Sequence, residues 1–162
     1  MIFEQIERFA SALPRVGAVA GLDLGTKTIG VAVSDGLRTV ATPLATIRRR
    51  KFTVDAAELD GLLADRAIVG LILGLPRNMD GTEGPRAQST RAFARNLDGR
   101  APRPLGFWDE RLSTVAAERA LLEADTSRKR RGEVIDHVAA SYILQGALDR
   151  MQRIAAQAGE ND

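Results

Sequence analysis

The sequence predicts an α/β domain in which helices flank a mixed β-sheet. Two apolar segments, 16–24 and 28–34, are separated only by Gly25-Thr26-Lys27, a spacing typical of an antiparallel hairpin. The segment 67–73 is continuously apolar, as expected of a strand that is covered on both faces. A helical pattern over 52–65 precedes it, and such a strand–helix–strand arrangement predicts a right-handed crossover and parallel pairing.

The first half of the chain is predicted to hold two helices and four strands. The helices cover 3–13 and 52–65, and the strands cover 16–24, 28–34, 39–47 and 67–73. Pro14 ends the first helix because proline cannot continue a helical hydrogen-bond pattern. Pro43 favours an edge position for the third strand, since it has no backbone N–H to donate to a neighbour.

The second half is predicted to hold one more strand and three helices. Their ranges are 85–97 (helix), 102–108 (strand), 113–123 (helix, capped by Ser113 or Thr114) and 133–156 (helix). Pro85 suits the first helical position, and the charged segment 125–132 is expected to be mobile. We therefore expect an N-terminal helical extension over 1–15, a main α/β domain over 16–156 and a polar tail over 157–162.

Composition places the chain among ordinary globular proteins. Its 162 residues are 44% hydrophobic and 27% charged, which suits one domain with a substantial core. The net charge of +2 is too small to establish a nucleic-acid partner. Basic residues nevertheless cluster at 48–51 and 128–131, although such runs are as often simply solvated surface.

Several classes of site and location are excluded or disfavoured. The chain has no cysteine, which excludes disulfides and thiolate sites, and its single histidine, His137, excludes a multi-histidine metal site. The N-terminus does not resemble a secretory signal, and no apolar run approaches the ~20 residues that span a bilayer. We therefore expect a cytoplasmic protein that does not enter a membrane.

Acidic residues at three places are candidates for chemistry. Asp23 stands inside an apolar strand, Asp109 and Glu110 follow the last strand, and Asp136 lies early in the last helix. Ligands of open α/β sheets gather at the carboxyl ends of strands. Carboxylates without histidine or cysteine favour hard cations such as Mg²⁺ or Mn²⁺. Two such ions about 3.5–4 Å apart can activate water and stabilise the leaving oxygen of a phosphodiester.

Each acid also has a structural explanation. Asp136 would be favourable near the positive end of a helix, and Glu110 could pair with Arg111 on the surface. Asp23 could accept hydrogen bonds from the turn at Gly25-Thr26. Taken alone, each structural explanation accounts for its acid as well as a catalytic role does. The occurrence of these acids together, in a chain with an acid-bearing strand–turn–strand unit, favours a catalytic site.

Four segments together resemble the YqgF family, also called RuvX, of bacterial Holliday-junction-resolvase-like proteins regarded as pre-16S ribosomal RNA nucleases. These segments are GLDLGTKTIG (21–30), GLPRNMDGTEG (74–84), DERLST (109–114) and IDHVAA (135–140). Each would be weak evidence alone, but the four occur in order. The resemblance covers roughly residues 17–150 and leaves the N-terminal helix outside the shared region.

The resemblance implies a ribonuclease-H-like fold with a five-stranded mixed sheet in the order 3-2-1-4-5. It also implies metal-dependent phosphodiester hydrolysis with Asp23, Glu110 and Asp136 as catalytic residues and as ligands of Mg²⁺ or Mn²⁺. Many enzymes of this fold take an acid from strand four, where this chain has only Gly74-Leu75-Pro76. Glu110 must therefore reach inward from strand five, and Asp109 remains the alternative second ligand.

The same resemblance gives the basic and polar residues a use in binding nucleic acid. The candidates for phosphate contacts are Lys27, Thr28, Arg77, Asn78, Arg111, Arg128, Lys129, Arg130 and Arg131. Aromatic residues for base stacking are scarce, with one Trp, one Tyr and five Phe. We therefore expect recognition of backbone and shape rather than of bases.

Alternative functions remain open at this stage. Ribosomal RNA precursor and branched DNA present the same phosphates, and a junction resolvase would act as a homodimer with two symmetric sites. The Asp-Leu-Gly-Thr turn also resembles the phosphate loop of actin-like ATPases and sugar kinases, which close a cleft between two lobes where this chain supplies one. A nucleic-acid-binding module that has lost its chemistry is the third alternative.

Overall fold

The structure is a computed structural model that describes the backbone of residues 1–112 and 128–160 and the side chains of 1–112 and 137–160. The strands in these ranges are β1 (Ile2–Phe3), β2 (Ala18–Leu24), β3 (Thr28–Ser34), β4 (Ala41–Arg48), β5 (Ile68–Leu75) and β6 (Leu105–Asp109). The helices are α1 (Ile6–Ala12), α2 (Phe52–Leu63), α3 (Pro85–Arg100), a 3₁₀ turn (Glu110–Leu112) and α4 (Arg128–Glu160). No helix in these ranges combines the length and apolar character needed to cross a membrane.

The strands form one mixed sheet in the order β1-β6-β5-β2-β3-β4. β2, β3 and β4 pair antiparallel, whereas β2, β5 and β6 pair parallel. The five strands predicted from the sequence therefore lie in the predicted order 3-2-1-4-5, and the mixed α/β class is confirmed. β4 is an edge strand, as Pro43 indicated.

A sixth strand, β1, differs from the five-stranded prediction. Ile2 and Phe3 pair parallel with Leu105 and Gly106, and the Met1 amino group contacts Asp98. The predicted helix over 3–13 is accordingly shorter, because Phe3 belongs to the strand and α1 begins at Ile6. Two paired residues leave no periodic pattern in a sequence, which is why this strand could not be predicted.

Helices cover both faces of the sheet. α2 and α3 pack on one face, and α4 with α1 packs on the other, each over its own hydrophobic cluster. Gly21 lets α4 come close, since a Cβ there would lie 2.7 Å from Leu144 Cβ and 3.3 Å from the Ala140 carbonyl oxygen. The small residues Ala139 and Ala140 of this helix are buried at the contact.

The last helix is longer than predicted. α4 spans Arg128–Glu160, so residues 128–132 are helical rather than part of a separate mobile segment, and residues 157–160 continue the helix. The stretch contains no proline, its charged residues are good helix formers, and Gly132 costs only about 1 kcal/mol. The predicted helix over 113–123 and the segment 125–127 lie outside the described residues. Other boundaries shift by at most three residues.

Arg91 of α3 connects the N-terminal segment to the loop before its own helix. Its guanidinium donates to the Glu83 carboxylate at 2.6 and 2.8 Å and to Glu4 at 2.5 Å. It also lies 4.9 Å from the centroid of the Phe107 ring. The hydrogen bond from Arg91 holds the pKa of the Glu83 carboxyl below its ordinary value of 4.5.

Arg91→Gln should lower the melting temperature by about 3 °C at pH 7, since partly exposed ion pairs contribute at most about 1 kcal/mol. Because the folded pKa of Glu83 is depressed, this stabilisation is present above pH 4.5 and is lost as the pH falls through the folded value. The difference in melting temperature between Arg91→Gln and the wild type should therefore become smaller as the pH is lowered from 7 to 3. Arg95→Gln, an exposed change on the same helix, is the control; an equal shift from it would contradict this role of Arg91.

Candidate active site

Asp23 lies near the carboxyl end of β2, in the middle of the sheet. It is paired with Gly30 of β3, and its side chain is only 3% exposed. Gly21 faces α4, and side chains two residues apart on a strand share a face, so Asp23 also projects toward α4. A buried carboxylate at a strand end is the placement expected of a ligand-binding acid.

Glu110 reaches inward over the neighbouring strand. A Cβ on Gly74 would lie 2.8 Å from Glu110 Oε1 and 3.3 Å from its Cγ, so the Glu110 side chain occupies the space above Gly74. The same Cβ would lie 2.6 Å from Ile143 Cδ1 of α4, which places Glu110 on the face that Asp23 occupies. Gly74 follows Leu73, the partner of Leu22, so it is level with Asp23. The absence of a side chain at Gly74 in β5 thus allows Glu110, which follows β6, to extend toward Asp23.

α4 brings the backbone of Asp136 to the same end of the sheet. His137 Nδ1 lies 3.0 Å from Thr46 Oγ1, and Thr46 pairs with Gly30, which in turn pairs with Asp23. The part of α4 around His137 therefore lies beside the strand ends that carry the other acids. The side chain of Asp136 lies outside the described residues, so its direction stays a prediction.

Asp109 and Glu110 are adjacent but have different surroundings. Asp109 accepts two hydrogen bonds from the Arg111 guanidinium at 3.1 Å and 2.7 Å and one from the Arg111 backbone at 3.0 Å. Arg77 lies 3.8 Å away on the other side. The hydrogen bonds from Arg111 hold the pKa of the Asp109 carboxyl below its ordinary value. Asp109 is thus engaged by arginines, which favours Glu110 as the second ligand.

The loop between β5 and α3 carries two of the predicted phosphate contacts. Asn78 Nδ2 donates to Thr82 Oγ1 at 2.9 Å, and the Asn78 and Thr82 backbones are joined by a hydrogen bond of 2.8 Å. Arg77 lies 3.6 Å from Glu83 as well as near Asp109, so its charge is partly neutralised. Asn78 therefore holds the shape of the loop, and Arg77 links it to the turn after β6.

The hairpin between β2 and β3 carries two more of the predicted phosphate contacts, Lys27 and Thr28. Lys27 is exposed and Thr28 is half-buried, and the Gly25 N–H donates to the Thr28 carbonyl at 2.8 Å. The Arg49 guanidinium donates to the Gly25 carbonyl at 2.7 Å, which fixes the turn just beyond Asp23. Lys27 is thus presented to solvent on a braced turn.

The second basic run lies at the start of α4. Arg128, Lys129, Arg130 and Arg131 belong to the first turns of this helix, whose N-terminal part lies at the carboxyl end of β2. Their side chains lie outside the described residues. Their predicted phosphate contacts therefore stay predictions.

Open grooves around this end of the sheet contain Arg48, Arg49 and Arg86, which were not among the phosphate contacts predicted from the sequence. A groove of about 190 Å³ contains Arg49 and Arg86, one of about 330 Å³ contains Arg48, and one of about 300 Å³ contains Arg77, Arg86 and Glu110. The signal in the sequence was the run 48–51 directly after a strand, which also fits solvated surface. Only the strand pairing shows that Arg48 lies at the same end of the sheet as Asp23, two strands away from it.

The donor set fits a hard divalent cation. Asp23 and Glu110 bring carboxylate oxygens to one face of adjacent strands, and no cysteine or second histidine exists in the chain to favour a softer metal. Among the side chains that the structure describes, no group of three acidic or histidine residues forms a metal cluster. The third predicted ligand, Asp136, lies outside that set.

Comparisons with known proteins show what this chain is similar to. The family model described as "RuvX: Holliday junction resolvase" matches residues 17–150. A Cereibacter sphaeroides protein named "Putative pre-16S rRNA nuclease" is 72% identical over 98% of this chain and 99% of its own length. A Paracoccus denitrificans protein of the same name is 77% identical over 94% and 96%.

Among solved structures, Thermus thermophilus RuvC in complex with a Holliday junction substrate is similar with a TM-score of 0.51 and 12% identity. The likeness covers 84% of this chain and 96% of that one. At this identity it shows the fold, and it confirms the ribonuclease-H-like class.

Proposed function

The chain belongs to the RuvX family, and from this premise we propose that it is a nuclease that hydrolyses phosphodiester bonds in precursor 16S ribosomal RNA. The observation that carries the proposal is that Glu110 reaches over Gly74 to the face and level of the buried Asp23. An activity on ribosomal RNA precursor would take place in the cytoplasm. Family membership favours this function over an actin-like nucleotide-binding lobe, since the four matching segments extend well beyond the phosphate-loop-like turn.

We assign Asp23, Glu110 and Asp136 as the residues that would hold Mg²⁺ or Mn²⁺. A bound divalent cation would supply polarisation of the scissile phosphate and stabilisation of the leaving oxygen. The carboxylates would orient the attacking water. The ion pair between Asp109 and Arg111 stiffens the turn after β6, and this turn sets the direction of Glu110.

The remaining assigned residues would bind the substrate backbone. Lys27 and Thr28 would contact a phosphate next to Asp23, and the hydrogen bond from Arg49 to the Gly25 carbonyl, which braces their turn, supports this role. Arg77 and Asn78 shape the loop on the opposite side, with Arg111 beside it. Arg128, Lys129, Arg130 and Arg131 would neutralise phosphates farther along the strand.

Cleavage should require a divalent cation. We expect an RNA that spans the 5′ end of a 16S precursor to be cut with Mg²⁺ or Mn²⁺ and to stay intact in EDTA. Product lengths on a denaturing gel are the measurement, and adding excess Mg²⁺ to the EDTA sample should restore cutting. Equal cleavage in EDTA would refute the assignment of the acids as metal ligands.

Branched DNA is the second candidate substrate, because of the family description and the fold that the chain shares with RuvC. A four-way DNA junction in the same assay separates the two. Cleavage of the junction alone would identify a resolvase, and such an enzyme should sediment as a dimer. No cleavage of either substrate with either metal would favour the non-catalytic binding module.

A further inference from the structure

A groove on the β3–β4 side of the acids enters the function proposed above only through Thr28, and its other lining residues have no role there. It has a volume of about 330 Å³ and is lined by Thr28, Ala45, Thr46, Arg48 and His137. We call it the Arg48 groove. Among the residues whose side chains the structure describes, the lining contains hydroxyls, an imidazole and a guanidinium but no carboxylate, a set that is suited to an anion.

Arg48 differs from most arginines around the acids. Arg77 and Arg111 are each within ion-pair distance of Asp109, and Arg91 is paired with Glu83 and Glu4. The Arg48 side chain makes no ion pair with any residue whose side chain the structure describes, and Arg48 is exposed. Its positive charge therefore remains available to a ligand from solution.

The Arg48 groove lies level with Asp23. Thr46 is paired with Gly30, and Gly30 is paired with Asp23, so the groove is two strands away at the same height of the sheet. Two strand spacings are about 10 Å. A nucleic-acid strand that places one phosphate at Asp23 can therefore reach the groove with a nearby phosphate.

His137 is held in a defined orientation within the groove. Its Nδ1 and the Thr46 hydroxyl are 3.0 Å apart, which fixes the ring and makes Nε2 the ring nitrogen through which it can contact a ligand. Thr28 is paired with Arg48 across β3 and β4, so these two side chains come from adjacent positions. The groove thus joins a fixed ring, a hydroxyl and a guanidinium in one concave site.

From this geometry we propose that the Arg48 groove binds a backbone phosphate of the substrate strand close to the scissile phosphate, with Arg48 as the charged contact and His137 as a second contact whose ring is oriented by Thr46. The inference rests on the proposed function for the identity of the strand. Phosphodiesters of RNA and of DNA share this chemistry, so the test includes both.

The test measures binding in EDTA, so that it does not depend on turnover. A fluorescein-labelled single-stranded RNA from the 5′ end of a 16S precursor and the DNA strand of the same sequence are titrated with wild type, Arg48→Gln and Arg50→Gln, and anisotropy is followed from 50 to 300 mM salt. Arg50 is the matched control because it is exposed, belongs to the same basic run and does not line the groove.

Arg48→Gln should weaken binding about fivefold at 0.1 M salt and reduce the slope of log K against log salt by about 0.7, the value for one phosphate contact on a single strand. A weaker affinity of Arg48→Gln for RNA, for DNA or for both would support the site and would identify the kind of strand that it binds. Equal Kd and equal slope for Arg48→Gln and Arg50→Gln, or no binding by the wild type, would overturn it.

Thr46→Val gives a second, independent readout. It removes the hydroxyl that holds His137 but leaves every charge in place, so Kd should rise while the salt slope stays unchanged. An unchanged Kd would show that the orientation of His137 has no role. These outcomes are separate from the nuclease assay, since cleavage by the wild type with no effect of Arg48→Gln refutes the groove alone.

Discussion

Asp23→Asn should reduce cleavage of the 16S precursor by on the order of 10³-fold. The cation held by the acids is expected to supply several kcal/mol of stabilisation to the transition state, and each 1.36 kcal/mol corresponds to a tenfold change in rate. Asparagine keeps the shape of the side chain but removes the charge that attracts the cation. Single-turnover rates with saturating Mg²⁺ are the measurement, and Asp136→Asn should give a similar loss.

Asp55 provides a matched control for this experiment. It is as buried as Asp23, at 2% exposure, but it accepts the Arg50 backbone N–H at 2.9 Å before α2 and lies outside the site. Asp55→Asn should therefore affect thermal stability more than the rate. If Asp23→Asn cleaved as fast as the wild type while folding normally, the assigned site would be wrong.

Gly74→Ala should reduce the cleavage rate by about 100-fold, because a displacement of about 1 Å of a catalytic group can cost that much. The new methyl group would lie 2.8 Å from Glu110 Oε1, so the carboxylate has to move away from Asp23. We expect kcat to fall while the affinity for RNA in EDTA stays the same, since no phosphate contact is changed. The two measurements together distinguish a misplaced acid from a weakened binding surface.

Gly70→Ala is the control for the steric part of this change. Gly70 lies on the same strand, and a Cβ there would meet Leu13 at 2.8 Å and Phe9 at 2.9 Å, with no acid nearby. It should lower stability without a specific loss of kcat. Adding Ile143→Val to Gly74→Ala removes the other close contact, at 2.6 Å from Ile143 Cδ1, and should restore stability but not the rate. Recovery of the rate would show that packing, rather than Glu110, was responsible.

The β2–β3 hairpin, the buried strand β5 and the placement of Asp23 could be predicted from local patterns in the sequence, whereas the full strand order 3-2-1-4-5 was implied by the resemblance to the RuvX family. The hairpin has a three-residue connection, β5 is continuously apolar, and an acid in an apolar strand is conspicuous. Pro43 predicted the edge position of β4, because proline has no backbone N–H to donate to a neighbouring strand.

Other features depend on contacts between distant parts of the chain. The route of Glu110 to the site depends on the empty space above Gly74, and the pairing of Asp109 with Arg111 depends on the 3₁₀ turn after β6. The position of Arg48 at the same end of the sheet as Asp23 depends on the register of β3 and β4. Each of these is set by pairing or packing that leaves no periodic signal in the sequence.

The pairing of β1 with β6 has a consequence for synthesis of the protein. The partner of Ile2 is Leu105, so the first strand made by the ribosome must wait for roughly a hundred further residues before it can join the sheet. The hairpin of β2 and β3 can form long before then, since its contacts are local. β1 is therefore translated before the strand that it pairs with and is among the last strands to join the sheet.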